Sequence, residues 1–275
     1  MDSLTELFCQ VEDFCRVFEP VWEQRLLSRG MKKRRRRSAL SVSELMSLVI
    51  VFHQLRCRQF KRFYLDYVCR YLRSELPTLP SYPRGIELLP RCAVPLAAWF
   101  ERLQGHCDGI SIADATALAV GENKRIARHQ VFKGVAARGK TAMRWFYGFK
   151  LHTLINSKGE LIGLKLTPGN VDDRTPMPEL GQGLFGHLFA DKGYIARWLS
   201  EALAAQGLHL ITTLKKNMKP LDYTAFEQAL LRRRALIETV FDELKNLGQI
   251  EHTRQRCVFN FIVNLMAGVI AYWLA

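Results

Sequence analysis

At about residue 108 the hydrophobic pattern changes period, and that change restricts the chain to folds combining helices with a sheet. Upstream, Leu4, Leu7, Phe8, Val11, Phe14, Cys15 and Phe18 recur at helical spacing, in a helix predicted to stop before Pro20. Downstream, 109–114 and 187–191 are short apolar runs that each end in an aspartate, and both read as strands. In the first, Ile110, Ile112 and Asp114 share one face by the two-residue strand period. Segments 145–155 and 160–167 flank Asn156-Ser-Lys-Gly159, turn chemistry that predicts an antiparallel hairpin. A helix over 175–185, with Asp172 and Asp173 placed either to cap it or to crowd a metal, a helix over 194–206 and a strand over 208–214 complete the expected order.

The net charge of +14 is concentrated in two places. Residues 29–37 hold Arg29, Lys32, Lys33, Arg34, Arg35, Arg36 and Arg37 with no acid, a net +7. Residues 121–150 hold Lys124, Arg125, Arg128, Lys133, Arg138, Lys140, Arg144 and Lys150 against Glu122, again +7, so the rest of the chain balances to zero. Solubility does not need such clustering; a polyanion, either nucleic acid or an anionic membrane surface, explains it better. The first run reads as an exposed arm, the second as a loop.

Between them, Ser41-Val-Ser-Glu44 predicts a capping box opening a helix, and helices follow over 59–72 and 95–103. Three helices, one of them basic, admit a helix-turn-helix or ordinary helical packing. Phe60, Phe63, Tyr64 and Tyr67 fall at helical spacing and read as core. Seven cysteines without regular spacing suggest neither zinc nor a disulfide framework, and free thiols suit a reducing cytoplasm. His53 and Cys57, one turn apart, read as a packing pair. The opening residues are not those of a signal peptide. The nineteen uncharged residues 257–275 are long enough for a membrane span, but Asn260 and Asn264 on one face fit a protein interface better.

A helix predicted over 231–246 buries Leu236, Val240, Leu244 and Leu247 on one stripe, with Arg234, Glu238 and Lys245 beside it. Alone, these charges read as a solvated face. With Asp114 and Asp191 at strand ends, Glu238 completes a possible convergence of carboxylates. Such groups repel one another unless a hard cation neutralises them, which points to Mg²⁺.

Ile-Ala-Asp114-Ala-Thr, Ala-Asp191-Lys-Gly-Tyr194 and Arg234-x3-Glu238-x6-Lys245, with Thr-Pro-Gly-Asn170-Val-Asp-Asp173 between them, resemble the DDE transposases of bacterial insertion sequences, in particular the insertion-sequence nine-eighty-two group. The Arg-Glu-Lys spacing matches a Tyr-Arg-Glu-Lys signature, except that Leu231 stands in the tyrosine's place. The resemblance spans roughly residues 40–272. It implies an α/β fold: a ribonuclease-H-like, mixed five-stranded sheet flanked by helices over 106–275, after an all-α DNA-binding region over 1–105, with the last helix covering a sheet face. It implies that Asp114, Asp191 and Glu238 are catalytic and hold two Mg²⁺ ions, or Mn²⁺. Arg234, Lys245, Lys192, Lys124, Arg125, Arg128, Lys133 and Arg34 to Arg37 would contact double-stranded DNA, both element ends and target. A homodimer in the cytoplasm, at the nucleoid and away from membrane, would cut and join that DNA. Three other readings stay open: a nuclease of the same fold that does not join, an inactive DNA-binding relic, and a tail-anchored basic protein.

Overall fold

The computed structural model describes residues 4–31, 38–141, 144–214, 218, 223–246, 248–251 and 255–275. Lys32, Lys33 and Arg34, Arg35, Arg36 and Arg37 of the basic arm, and Leu247 of the helical stripe, lie outside them. The chain divides into two compact units, one formed by 1–103 with 244–275, the other by 104–243.

The first unit is helical. α1 (Leu4–Ser28) runs straight through Pro20, contrary to the expected stop. A proline inside a helix loses a hydrogen bond and crowds the preceding turn, typically by ~3 kcal/mol. Here Leu7, Val11, Phe14 and Cys15 are buried on one side, and a ring stack from Phe14 through Phe18 to Trp22 bridges the proline. α2 (Val42–Gln54) opens with the predicted capping box: the Glu44 N–H donates to Ser41 Oγ at 3.0 Å, and the Ser41 N–H donates to Glu44 Oε2 at 2.7 Å. α3 (Phe60–Arg62) and α4 (Cys69–Tyr71) are joined by a π-helical turn over Phe63–Val68, within which Phe63 and Tyr64 are buried as core. α5 (Tyr82–Leu88) and α6 (Ala93–Leu103) follow.

The second unit is a mixed α/β layer with six strands where five were expected. β1 (Ile110–Gly121) is twelve residues long and continues well past Asp114. β2 (Ala137–Lys140) lies in the segment read as a loop. β3 (Trp145–Asn156) and β4 (Leu161–Pro168) form the predicted hairpin, turned by Gly159 at φ +89°, a backbone state glycine adopts without strain. α7 (Met177–Leu180) is a single short turn instead of a helix over 175–185. β5 (Gly186–Ala190), α8 (Arg197–Ala204) and β6 (Leu208–Thr212) complete the sheet. Its order is β2-β3-β1-β5-β6, with β4 also pairing β3; β1 is antiparallel to β3 and parallel to β5, and β5 is parallel to β6.

The predicted helix over 231–246 is two helices, α9 (Ala225–Arg233) and α10 (Ala235–Asn246), hinged at Arg234. A capping box between Thr224 and Glu227 starts the first one earlier than expected. α11 (Val258–Trp273) packs against α2, α6 and the turn Leu89–Cys92, so it belongs with the N-terminal helices and not with the sheet face proposed for it. No helix among the described residues is long and apolar enough to cross a membrane.

Candidate functional site

The site grows from the two central strands. Parallel pairing of β1 with β5 sets Ile112 beside Phe189. Carried two residues further along each strand, that register brings Asp114 and Asp191 side by side on one face. Asp114 accepts a hydrogen bond from the Ala115 N–H at 2.8 Å, and Asp191 accepts one from Thr213 Oγ1 at 3.3 Å. Burial is the main influence on Asp114 and pushes its pKa up to about 6. The Ala115 N–H and the Arg234 guanidinium pull the other way, while the charges of Asp191 and Asp173 raise it further.

Asp173 was expected to cap a helix, but α7 is capped by Pro176 and Asp173 does something else. It accepts from Lys150 Nζ at 2.8 Å and lies 4.0 Å from Nδ1 of the buried His152. Burial lowers the His152 pKa to about 4, against the pull of Asp173, so its imidazole is neutral near pH 7. Nε2 of the same ring bonds Thr167 Oγ1 at 2.8 Å. Asp172 does not cap a helix either. It holds Arg174 through both carboxylate oxygens, and those hydrogen bonds bring its pKa down to about 2.

Two buried hydroxyls adjoin the acids without a hydrogen-bond partner. Thr153 is the cross-strand partner of Asp114, and its Oγ1 is unbonded. The Tyr194 hydroxyl is likewise unbonded, and burial together with the charges of Asp114, Asp173 and Asp191 raises its pKa. Sequence reasoning quoted Tyr194 only as the end of the Ala-Asp191-Lys-Gly motif and did not single out Thr153, nor Lys150 and His152 as a set. The available signal was their two-residue spacing on β3, which puts both side chains on one face of the hairpin, with Asp172-Asp173 following its second strand.

Glu238 stands apart from this cluster. It lies in the first turn of α10, with its side chain 62% exposed and 3.9 Å from Arg234. Arg234 is therefore the link between the helix and the strand acids. Lys245 belongs to the helical unit, where it lies 3.8 Å from Glu251 of the same unit. Among the described residues, no three acidic, histidine or cysteine side chains converge as a complete metal site.

The basic segment lies largely in solvent. Lys124, Arg125 and Arg128 sit on a 3-10 helix, Asn123–Arg128, and are exposed, as are Lys133 and Lys192. Arg138 and Lys140, on β2, lie 4.5 and 5.5 Å from the ring of Trp145, which is 48% exposed. β2 reaches this place because glycines let backbones touch: a Cβ on Gly139 would meet the Gly169 carbonyl at 2.1 Å.

Neighbouring carboxylates at central strands, in a chain that also carries an exposed basic segment, are the kind of groups that chemistry on a phosphate backbone uses. Residues 104–258, more than half of the chain, match the model of the transposase DDE domain, and the chain belongs to that family of DNA-cutting enzymes. Domains of this family generally use a divalent metal. No curated protein matches the chain.

Proposed function

We propose that this protein is the transposase of a bacterial insertion sequence, of the insertion-sequence nine-eighty-two group, and that it cuts element-end DNA and joins it to a target. The observation that carries this reading is the adjacency of Asp114 and Asp191, with Asp114 raised to about 6 by burial and like charge. The strand order β4-β3-β1-β5-β6, with β2 as an addition, supports a ribonuclease-H-like sheet.

The residues present fit a hard divalent cation. Buried like charges need an opposite charge nearby, and Thr153 Oγ1 and the Tyr194 hydroxyl are orphaned beside them. Asp114 and Asp191 would hold Mg²⁺, or Mn²⁺, with Glu238 as the third carboxylate. When bound, the metal neutralises phosphate charge and lowers the pKa of the attacking water or 3′-hydroxyl. Arg234 balances the charge around Asp114 and orients the start of α10. Lys150 pairs with Asp173 at 2.8 Å and so sets a positive charge beside the acid cluster. Lys124, Arg125, Arg128, Lys133 and Lys192 would grip backbone phosphates, and so would Lys245 and Arg34 to Arg37. Both element ends must be handled together, which calls for a homodimer.

The decisive experiment supplies purified protein with flanked element DNA and Mg²⁺, then looks for excised and joined products. Joining to a second duplex supports the transposase; cleavage with no joined product replaces it with a nuclease of the same fold. Binding that is equal in EDTA, with no nicking, leaves only a DNA-binding relic.

A further inference from the structure

The helical unit holds a cavity of about 250 Å³ between α2, α3, α5 and α11 that the transposition chemistry does not use. Its inner wall carries a polar group that the fold leaves unsatisfied and a second that it holds loosely. His53 is 3% exposed, and its ring lies against the backbone of Gly248 and Asn264 without a well-formed side-chain hydrogen bond. Burial lowers its pKa to about 4, so it stands in the wall as a neutral donor and acceptor. Asn260 is 8% exposed, and its Oδ1 is unbonded. An amide oxygen buried without a partner costs stability, and a fold that keeps one in a cavity wall beside a neutral imidazole leaves it free for something that enters.

The remaining wall narrows what that is. Among the described residues no acidic side chain lines the cavity, while Arg58 and Lys61 stand exposed where it meets solvent, so the outer end favours an anion. Phe52, Phe60 and Tyr82 supply flat apolar surface. Asn264 and Gln249 add amides, which both donate and accept; Gln249 already donates to the Arg56 carbonyl at 2.9 Å, leaving its oxygen. A neutral ring edge with mixed donors and acceptors, a flat face and a phosphate is the pattern of a nucleotide. The volume lies below the ~300–1,000 Å³ usual for drug-sized ligands, which admits one base and excludes a base pair.

We propose that this cavity binds a single unpaired nucleotide, its base against His53 and Asn260 and its phosphate at Arg58 and Lys61. The inference rests on the DNA-handling reading for its biological meaning: a nucleotide extruded from a duplex would be held there while the carboxylates act elsewhere. Its physical content can be tested without any element DNA.

The full chain is titrated with each of the four deoxynucleoside monophosphates, with the matching nucleosides and with inorganic phosphate, in EDTA so that the carboxylates hold no metal. At least one nucleotide should bind tenfold or more tightly than inorganic phosphate. Asn260→Leu fills the position with an apolar side chain of similar size and removes the orphaned amide, so it should unfold at the same temperature or higher and yet lose nucleotide affinity at least tenfold. Arg58→Ala and Lys61→Ala, both on the surface, should weaken the nucleotide several-fold and leave the nucleoside unchanged. Equal affinity for nucleotide and inorganic phosphate overturns the proposal, and so does full nucleotide affinity in Asn260→Leu. Duplex DNA binding is measured beside it: duplex affinity without nucleotide selectivity defeats the pocket alone, whereas nucleotide selectivity without duplex affinity defeats the DNA-handling reading alone.

Discussion

Asp114 and Lys124 lie on one continuous stretch of chain, yet the sheet draws the first into its interior and leaves the second in solvent. Burial has driven Asp114 to a pKa of about 6, next to two more acids that make its charge less favourable still. Lys124, Arg125, Arg128 and Lys133 instead spread their charges in water, where the pair of Arg125 with Glu122 at 3.6 Å is about three-quarters exposed on both sides. Solvated charge of this kind is nearly neutral to the fold. A buried carboxylate works against folding and marks a place where chemistry requires it. The acidic end of the sheet is thus the candidate for the reaction, and the basic flank for holding its substrate.

The largest expected effect separates those roles. Asp114→Asn and Asp191→Asn should each abolish metal-dependent cleavage by orders of magnitude while DNA binding persists or tightens, because a negative charge facing phosphate has gone. Cleavage by Asp114→Asn at the wild-type rate would falsify the assignment. The third acid is decided in the same assay. Glu238→Gln should be dead and Asp173→Asn should retain most activity; the reverse result moves the third role from the exposed glutamate to the aspartate that acts on Asp114 directly.

Stability should show the same contrast with its sign worked out. The folded pKa of Asp114, about 6, lies above its ordinary value near 4, so the folded state binds the proton more tightly than the unfolded one. Its destabilising effect is complete above pH 6 and fades as the pH falls from 6 to 4. Asp114→Asn should therefore be more stable than wild type at pH 8, on the order of 2 kcal/mol after solvent screening, and equal to it near pH 4 by urea denaturation. At pH 8, Mg²⁺ should raise the melting temperature of the wild type and not of the variant. A pH-independent difference would mean that Asp114 is solvated in the folded protein.

The same distinction explains how far the sequence could be read. The Ser41/Glu44 capping box, the Asn156–Gly159 turn and Asp191 at the end of β5 are local patterns, and local physics fixes them, whereas the run ending at Asp114 gave no sign that β1 continues to Gly121. Pro20 was misread because ring stacking on both sides of it outweighs a local penalty. β2 was missed since Gly139 looks like a loop residue until Gly169 is brought against it. The break at Arg234 is invisible in an unbroken helical period, and α11 satisfies its apolar face equally well on helices or a sheet, so only packing decides. Asp173 reaches Asp114 through space, from a turn fifty-nine residues away in sequence.

On the basic flank the effects should be smaller and additive. Lys124→Ala, Arg125→Ala, Arg128→Ala and Lys133→Ala should each lower the slope of log affinity against log salt by roughly one unit if each holds one phosphate. Cleavage per bound DNA should not change. Neutralising Arg34 to Arg37 tests the arm in the same way. An unchanged slope places the segment away from DNA and removes the grip half of the comparison.

The smallest effect belongs to Asp172, which neighbours Asp173 in the chain and is expected to take no part in the reaction. Asp172 binds Arg174 bidentately, at 2.6 Å to Nη2, but its side chain is half exposed, so solvent screens most of the attraction. Its folded pKa of about 2 is below the ordinary value, which makes its contribution complete above pH 4 and lost between pH 4 and 2, the opposite direction to Asp114. Asp172→Asn should cost less than about 1 kcal/mol at pH 7, and nothing at pH 2, with cleavage and salt slope both unchanged. A loss of activity comparable to that of Asp114→Asn would show that the turn carrying Asp172 and Asp173 acts as one catalytic unit, and the boundary between buried and solvated acids drawn here would have to include both.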